Sequence, residues 1–244
     1  MSLRGLRELR WSAGRRYASL YRRMAPRSVR RMPQLPPEPL SRRFGADRGR
    51  PLDRVYIERF LGAHAADIRG RVVEIYEPTY TQRFGGDRVT RGDVLDAAAD
   101  APRATLRGNL ETGEGLPREA FDCFICTQTL SLVCDVRAAL ENARRALVPG
   151  GVLLATAPGI SHRASAAIDE EFPDQWRFTA SGLRRVASDV FGTTCVEVSA
   201  WGNVAVTSAF LYGAGEDDVD ASLFERDDPD YELVIGLRAE KRRP

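Results

Sequence analysis

An α/β sandwich around a mostly parallel sheet is the fold class this sequence predicts. Three observations carry that expectation. Five short apolar runs lie between residues 72 and 157, nearly continuous in character, as strands buried on both faces require. An amphipathic helical segment, Asp135–Val148, separates the last two of them. The chain has 244 residues, enough to bury a full core around such a sheet without disulfide or metal staples.

The elements follow in order. Residues 1–31 hold ten arginines and one acid, a charge of +9 against +2 for the whole chain, which leaves −7 for the rest. Leu3, Leu6, Leu9, Ala13, Tyr17, Leu20 and Met24 recur among these arginines at roughly helical spacing, so the segment reads as a basic amphipathic helix. It either meets an anionic surface or an acidic protein partner, or packs on the chain's own acidic stretch, residues 216–230. An Arg-rich, acid-poor start also fits a transit peptide. Residues 32–40 form a Pro-rich linker, and the main domain is expected over 41–244.

A helix starts at Pro51 and presents Leu52, Val55, Tyr56, Phe60 and Ile68 on one face. The five apolar runs are Val72–Tyr76, Arg88–Val94, Ala104–Leu110, Phe121–Thr127 and Gly151–Ala157. Asp135 caps the helix before the last run, and Pro149-Gly150-Gly151 ends it. Thr179–Phe191 is a second capped helix, and Cys195–Ala200 and Tyr231–Arg238 alternate as late strands. In such sheets ligands bind beyond the carboxyl ends of the strands.

Composition excludes several chemistries. Of 36 basic residues only Lys241 is lysine, so a Schiff-base or phosphate-loop lysine is implausible. His64 and His162 are the only histidines, too few for a His-rich metal site, and no metal site is expected. Cys123 and Cys126 form a Cys-x-x-Cys, but on a strand residues three apart face opposite sides and cannot share an ion. Four cysteines without a framework fit a reducing, cytoplasmic setting, with peripheral membrane contact through the basic arm. No run approaches eighteen apolar residues, so no spanning helix is expected.

The most informative stretch is Phe121–Gly159: strand opened by Phe121-Asp122, polar loop, helix, then Arg145-Ala146-Leu147-Val148-Pro149-Gly150-Gly151 and a further strand. Here the chain resembles the class I S-adenosylmethionine-dependent methyltransferases. The resemblance spans roughly residues 51–240. It is closest to bacterial methyltransferase-domain proteins similar to partners of glycosyltransferases, through Arg43-Phe44-Gly45-Ala46-Asp47-Arg48-Gly49, Pro51-Leu52-Asp53-Arg54, Pro78-Thr79-Tyr80-Thr81, Arg83-Phe84-Gly85-Gly86 and Trp176-Arg177-Phe178-Thr179. The resemblance implies a three-layer sandwich with seven strands, the last antiparallel (a Rossmann-like methyltransferase fold). It also implies S-adenosyl-L-methionine as cofactor.

The resemblance further implies site residues. Glu74 matches the acidic position at the end of the first strand, but Tyr76 stands where a glycine is usual and no Gly-x-Gly follows. Either the following loop holds the cofactor in a modified way through Thr79, Tyr80 and Gly85-Gly86, or binding is impaired. Asp93, chosen over Asp96 as nearer the end of the second strand, is either the ribose ligand or a helix cap. Asn109 and Leu110 match the adenine position, and Thr127 and Gln128 lie at the fourth strand's exit. His162 follows the fifth strand as the candidate general base. Asp47, Arg48, Asp53 and Arg54 form a charged entrance that would close over the cofactor, bind an anionic substrate or serve as a salt-bridged surface loop, and Trp176 and Arg177 would floor a substrate pocket or start a helix.

Two functions follow. One is methyl transfer to a small-molecule or sugar-like acceptor. The other is a catalytically silent scaffold that docks to a glycosyltransferase or membrane surface. A nicotinamide enzyme is disfavoured because no Gly-x-Gly-x-x-Gly follows the first strand. A nucleic-acid substrate is disfavoured by the acidic remainder of the chain and the lack of an Asn-Pro-Pro-Tyr-like motif.

Overall fold

The computed structural model describes residues 36–98, 101–164 and 173–243. The basic arm, residues 1–31, and the start of the linker lie outside the described residues.

A strand covered on both sides needs apolar residues facing both ways. β1 (Gly70–Ile75) and β4 (Phe121–Thr127) have them. Val73, Phe124 and Cys126 enter one core cluster; Val72, Cys123 and Ile125 enter the other. The two cysteines thus lie on opposite faces, and burial pushes both thiols up, Cys126 to about 12. The remaining strands are β2 (Val89–Asp96), β3 (Leu106–Arg107), β5 (Leu147–Pro158), β6 (Val196–Trp201) and β7 (Val234–Glu240). Their spatial order is β3-β2-β1-β4-β5-β7-β6. β7 runs antiparallel to β5 and β6, and the other pairings are parallel.

α1 (Leu52–Ala63) and α4 (Val204–Leu211) cover one face, with Leu52, Tyr56, Ile57, Phe60, Val206 and Phe210 in its core. α2 (Val136–Ala146) and α3 (Ala180–Phe191) cover the other, through Leu140, Ala143, Leu183 and Ala187. Each large apolar side chain so buried contributes about 1.5–3 kcal/mol. Both expected caps form: Asp135 Oδ1 accepts from Ala138 N at 2.9 Å, and Thr179 Oγ1 from Gly182 N at 3.1 Å.

Several boundaries differ from expectation. α2 ends at Ala146, and Pro149-Gly150-Gly151 is a bulge inside β5 rather than a turn before it. Phe121 pairs with Leu147 but Cys123 with Val152, and Gly150 takes φ +84° within the surplus residues. β2 continues to Asp96, because Tyr76 N still bonds Leu95 O at 3.0 Å. β3 is two residues long. Asn109 Oδ1 accepts from Glu111 N (2.8 Å) and Thr112 N (3.1 Å), which turns the chain away from the sheet. α4 was not anticipated: Val-Ala-Val-Thr-Ser-Ala-Phe-Leu has no amphipathic period, and only the Asn203 cap on Ala205 N and Val206 N betrays a helix.

The crossover from β1 to β2 holds one wide π-type turn, Thr81–Gly85, and a 3₁₀ turn, Gly86–Arg88, in place of a full helix. Tyr80 lies in the α1-side core, with Phe84 packed against it.

A strap before α1 runs along the 212–218 segment. Leu40 N bonds Tyr212 O (2.7 Å), Glu216 N bonds Arg50 O (2.8 Å), and Pro51 bridges Gly215. Gly45 allows this approach: it has φ +83°, and a Cβ there would sit 2.4 Å from Ala214 O. Arg48 grips Asp218 with two 2.8 Å bonds, and this hydrogen bonding holds the Asp218 carboxyl at about 2. Arg50 pairs with Glu216 at 2.9 Å and Arg59 with Asp227 at 3.9 Å. Part of the acidity of residues 216–230 is therefore answered inside the domain. Among the described residues, no helix is long and apolar enough to cross a membrane.

Removing the α2 cap tests this account. Asp135→Ala is expected to cost about 1 kcal/mol, a fall in Tm of about 2–4 °C, measured by thermal unfolding.

Candidate functional site

The winding direction reverses between β1 and β4, and a cavity of about 820 Å³ opens at the carboxyl ends of the strands there. That volume falls within the roughly 300–1,000 Å³ of small-molecule sites. One half lies over β1, β2, β3 and β4, lined by Ile75–Glu77, Leu95–Ala97, Gly108–Glu111 and Thr127–Thr129. The other lies toward β5 and β7, lined by Phe44, Pro158, Phe210, Leu233 and Val234. Asp53, Arg54 and Glu58 of α1, with Thr79 and Tyr80, close one side.

The loop after β1 is organised by Glu74. Its carboxylate is buried and accepts from Tyr80 N (3.0 Å), Thr81 N (2.7 Å) and Thr81 Oγ1 (2.7 Å). Burial pushes its pKa up, against those hydrogen bonds. Glu74 lines the cavity, but its oxygens are committed to the loop. Tyr76 adopts φ +78°, a glycine-like conformation that typically costs a residue with a side chain roughly 1–2 kcal/mol. Tyr76 is 67% exposed and lines the cavity without filling it. Gln128, at the exit of β4, also has positive φ (54°), and its N–H bonds Thr156 O at 2.8 Å.

Of the residues singled out in the sequence, Glu74, Tyr76, Thr79, Asn109, Leu110, Thr127, Gln128, Arg54 and Arg177 line the cavity. Asp93, His162, Asp47, Arg48 and Trp176 do not. Asp93 sits three positions before the end of β2, paired with Val73, and its buried carboxylate binds Arg71 Nε (2.7 Å) and Arg91 Nη2 (3.0 Å). Burial alone would raise its pKa; the Arg71 and Arg91 hydrogen bonds win and hold it below the ordinary carboxylate range. Asp96 takes the position assigned to Asp93: it ends β2, is buried, lines the cavity and accepts from Ala98 N at 2.8 Å. The signal was present, since the apolar pair Val94-Leu95 carries the strand to Asp96.

His162 is displaced from the chemistry by packing. Its ring stacks on Phe44 at 3.9 Å, and Nδ1–H donates to Arg163 O at 2.7 Å. Nε2 is buried without a partner among the described residues. Asp47 hydrogen-bonds Ser41 and Arg48 grips Asp218, so both brace the strap that carries Phe44 instead of facing a ligand. Trp176 Nε1 donates to Val133 O at 2.8 Å. Arg177 lines the cavity, but its guanidinium is held by Asp174 (2.6 and 2.7 Å) and His162 O (2.6 Å).

The rim fits a nucleoside. Asp96 offers a carboxylate to a diol, and buried Leu110 beside exposed Asn109 offers an apolar surface and a polar edge to a base. Asn109 Oδ1 is occupied by its own turn, which leaves Nδ2 to donate. Beside the β1 loop, Asp53 Oδ1 is buried without a partner among the described residues, a polar atom that a ligand would satisfy. The glycine-rich turn is what the rim lacks.

Residues 70–155 match a family model described as a methyltransferase domain. No curated relative matches the chain. Among solved structures the chain is similar to an S-adenosylmethionine-dependent methyltransferase of Archaeoglobus fulgidus (10% identity, 77% of this chain and 94% of that one, TM-score 0.49). It is also similar to one of Mesorhizobium loti (13%, 78% and 97%, 0.49). A third is the N-methyltransferase NodS of Bradyrhizobium japonicum (14%, 79% and 98%, 0.48).

Two outcomes test the site's construction. Asp93→Asn is expected to destabilise the protein by about 2 kcal/mol, a Tm fall of about 4–8 °C, at neutral pH. A carboxylate with a depressed folded-state pKa stabilises above its unfolded value, near 3.9, and loses that contribution as pH falls toward the folded value. The wild-type advantage should therefore begin to shrink below about pH 4 in acid denaturation and vanish only below the folded-state pKa. Tyr76→Gly is expected to stabilise or leave unchanged, by up to about 1 kcal/mol, in chemical denaturation; a marked loss would mean the ring, not the backbone, matters.

Proposed function

We propose that this chain, whose residues 70–155 match a methyltransferase domain, is a class I S-adenosyl-L-methionine-dependent methyltransferase that transfers the cofactor's methyl group to a small-molecule or sugar-like acceptor. The observation that carries the reading is the continuity of the cavity, from the nucleoside-sized rim over β1, β2 and β4 to a second recess over β5 and β7. The cofactor supplies a methyl group on a sulfonium, a good leaving group, so the protein's work is alignment. Holding two reactants in line supplies up to roughly 7–11 kcal/mol of a bimolecular barrier.

The chain's own residues divide that work. Asp96 accepts hydrogen bonds from a ribose diol, Leu110 and Asn109 hold the base, and Thr127 and Gln128 lie beneath. Phe44, Pro158, Phe210 and Leu233 wall the recess and exclude water from an acceptor there. Phe44 depends on the strap, so Asp47, Arg48 and His162 support the acceptor side indirectly.

The silent-scaffold alternative leaned on Tyr76 and the short crossover. The exposure of Tyr76 weighs against it. Docking through residues 1–31 is compatible with either reading.

Titration calorimetry with S-adenosylhomocysteine tests the proposal. Folded wild-type protein is expected to bind with a Kd on the order of micromolar. Asp96→Asn should weaken binding at least tenfold, and Asp93→Asn should leave it unchanged. No binding by folded protein would return the scaffold reading.

A further inference from the structure

Resting on the cofactor reading above, we infer that Arg54 and Asp53 of α1 form a charged clamp for the cofactor's aminoacyl end, replacing the glycine turn that the β1 loop lacks. A glycine turn brings bare backbone close to a ligand. Here that position carries the Cβ of Tyr76, and the nearby Glu74 carboxylate is consumed by Tyr80 and Thr81. The aminoacyl group is a zwitterion, with a carboxylate and an ammonium on one carbon. It needs a cation and an anion close together beside this loop.

Three arginines line the cavity: Arg43, Arg54 and Arg177. Arg177 is held by Asp174, and Arg43 is exposed on the strap beside Asp47. Arg54 is half-buried, and its guanidinium lies close enough to the Tyr80 hydroxyl for the two to interact. The carboxylates of Asp53 and Glu77 are near enough to act on it electrostatically, but none makes an ion pair with it among the described residues. A guanidinium has five donors in a planar fork suited to a carboxylate. Tyr80 ties it to the loop, since the Tyr80 N–H is the one bound by Glu74. One residue earlier, Asp53 lines the same cavity with the unpartnered Oδ1. Removal from water pushes its pKa up, the mark of a carboxylate that a bound cation would relieve. Glu58 cannot play this part, because its oxygens are taken by Arg50 and Arg83.

The sequence left Arg54 either closing over the cofactor or binding an anionic substrate. Its position next to Tyr80, beside the β1 loop, favours the first.

The test compares S-adenosylhomocysteine with 5′-methylthioadenosine, which keeps the nucleoside and sulfur but has neither carboxylate nor ammonium. Both are titrated into the full chain by calorimetry. Wild type is expected to prefer S-adenosylhomocysteine at least tenfold. Arg54→Gln and Asp53→Asn should each lose most of that preference while changing 5′-methylthioadenosine affinity less than twofold, which also shows that the variants fold. Arg54→Lys should keep part of it. Equal wild-type affinity for the two ligands, or variants that weaken both alike or neither, would overturn the clamp and leave the cofactor reading standing. Wild-type protein that binds neither nucleoside would overturn the cofactor reading, and the clamp with it.

Discussion

A parallel sheet whose winding reverses must leave a gap at the carboxyl ends of the two strands where it turns, because the connections on either side depart toward opposite faces. β1 and β4 are those strands here. They are buried on both faces, Val72 and Val73 or Cys123 and Phe124 pointing in opposite directions, so neither can shift to close the gap. The cavity is a consequence of that constraint. The residues that line it are whatever the strand ends, the strap and the first turn of α1 happen to present.

The β1 loop shows how a local departure can be absorbed. With no full helix in the crossover, the backbone N–H groups of Tyr80 and Thr81 still need acceptors. Glu74 provides them from inside the sheet, a desolvated carboxylate stabilised by three short hydrogen bonds. Tyr76 keeps the left-handed backbone expected of a glycine and stays exposed. Strain of this kind persists where surrounding structure over-determines the conformation, commonly at functional sites.

Arginine dominates the chain's basic residues, and the domain uses it as a brace. Arg48, Arg50 and Arg59 pin the strap and α1 to the acidic 216–230 stretch, Arg71 and Arg91 hold Asp93, and Arg177 staples the loop after β5. Planar guanidinium forks suit such bidentate work better than lysine. Several residues that read as ligands in the sequence are spent in these braces. Asp47, Arg48, Asp93 and Arg177 looked chemical because they are charged and near motifs; Arg48 finds its partner 170 residues away in Asp218, while Asp47, Asp93 and Arg177 are held by nearer residues, Ser41, Arg71 with Arg91, and Asp174.

Periodicity and capping chemistry were enough to determine the sandwich, the two capped helices, and the placement of Cys123 and Cys126 on opposite faces, and they pointed to the strand-end rim where the cavity opens. These are local properties, set by the strand period of two, the helix period of 3.6 and side-chain oxygens that meet backbone N–H groups within a few residues. Tertiary structure alone decided that Pro149-Gly150-Gly151 bulges within β5, that an apolar octapeptide becomes α4, and that His162 backs Phe44. Each depends on a partner supplied by a distant part of the chain: the register of a neighbouring strand, a core face to fill or a ring to stack on. No window of sequence contains both members of such a pair.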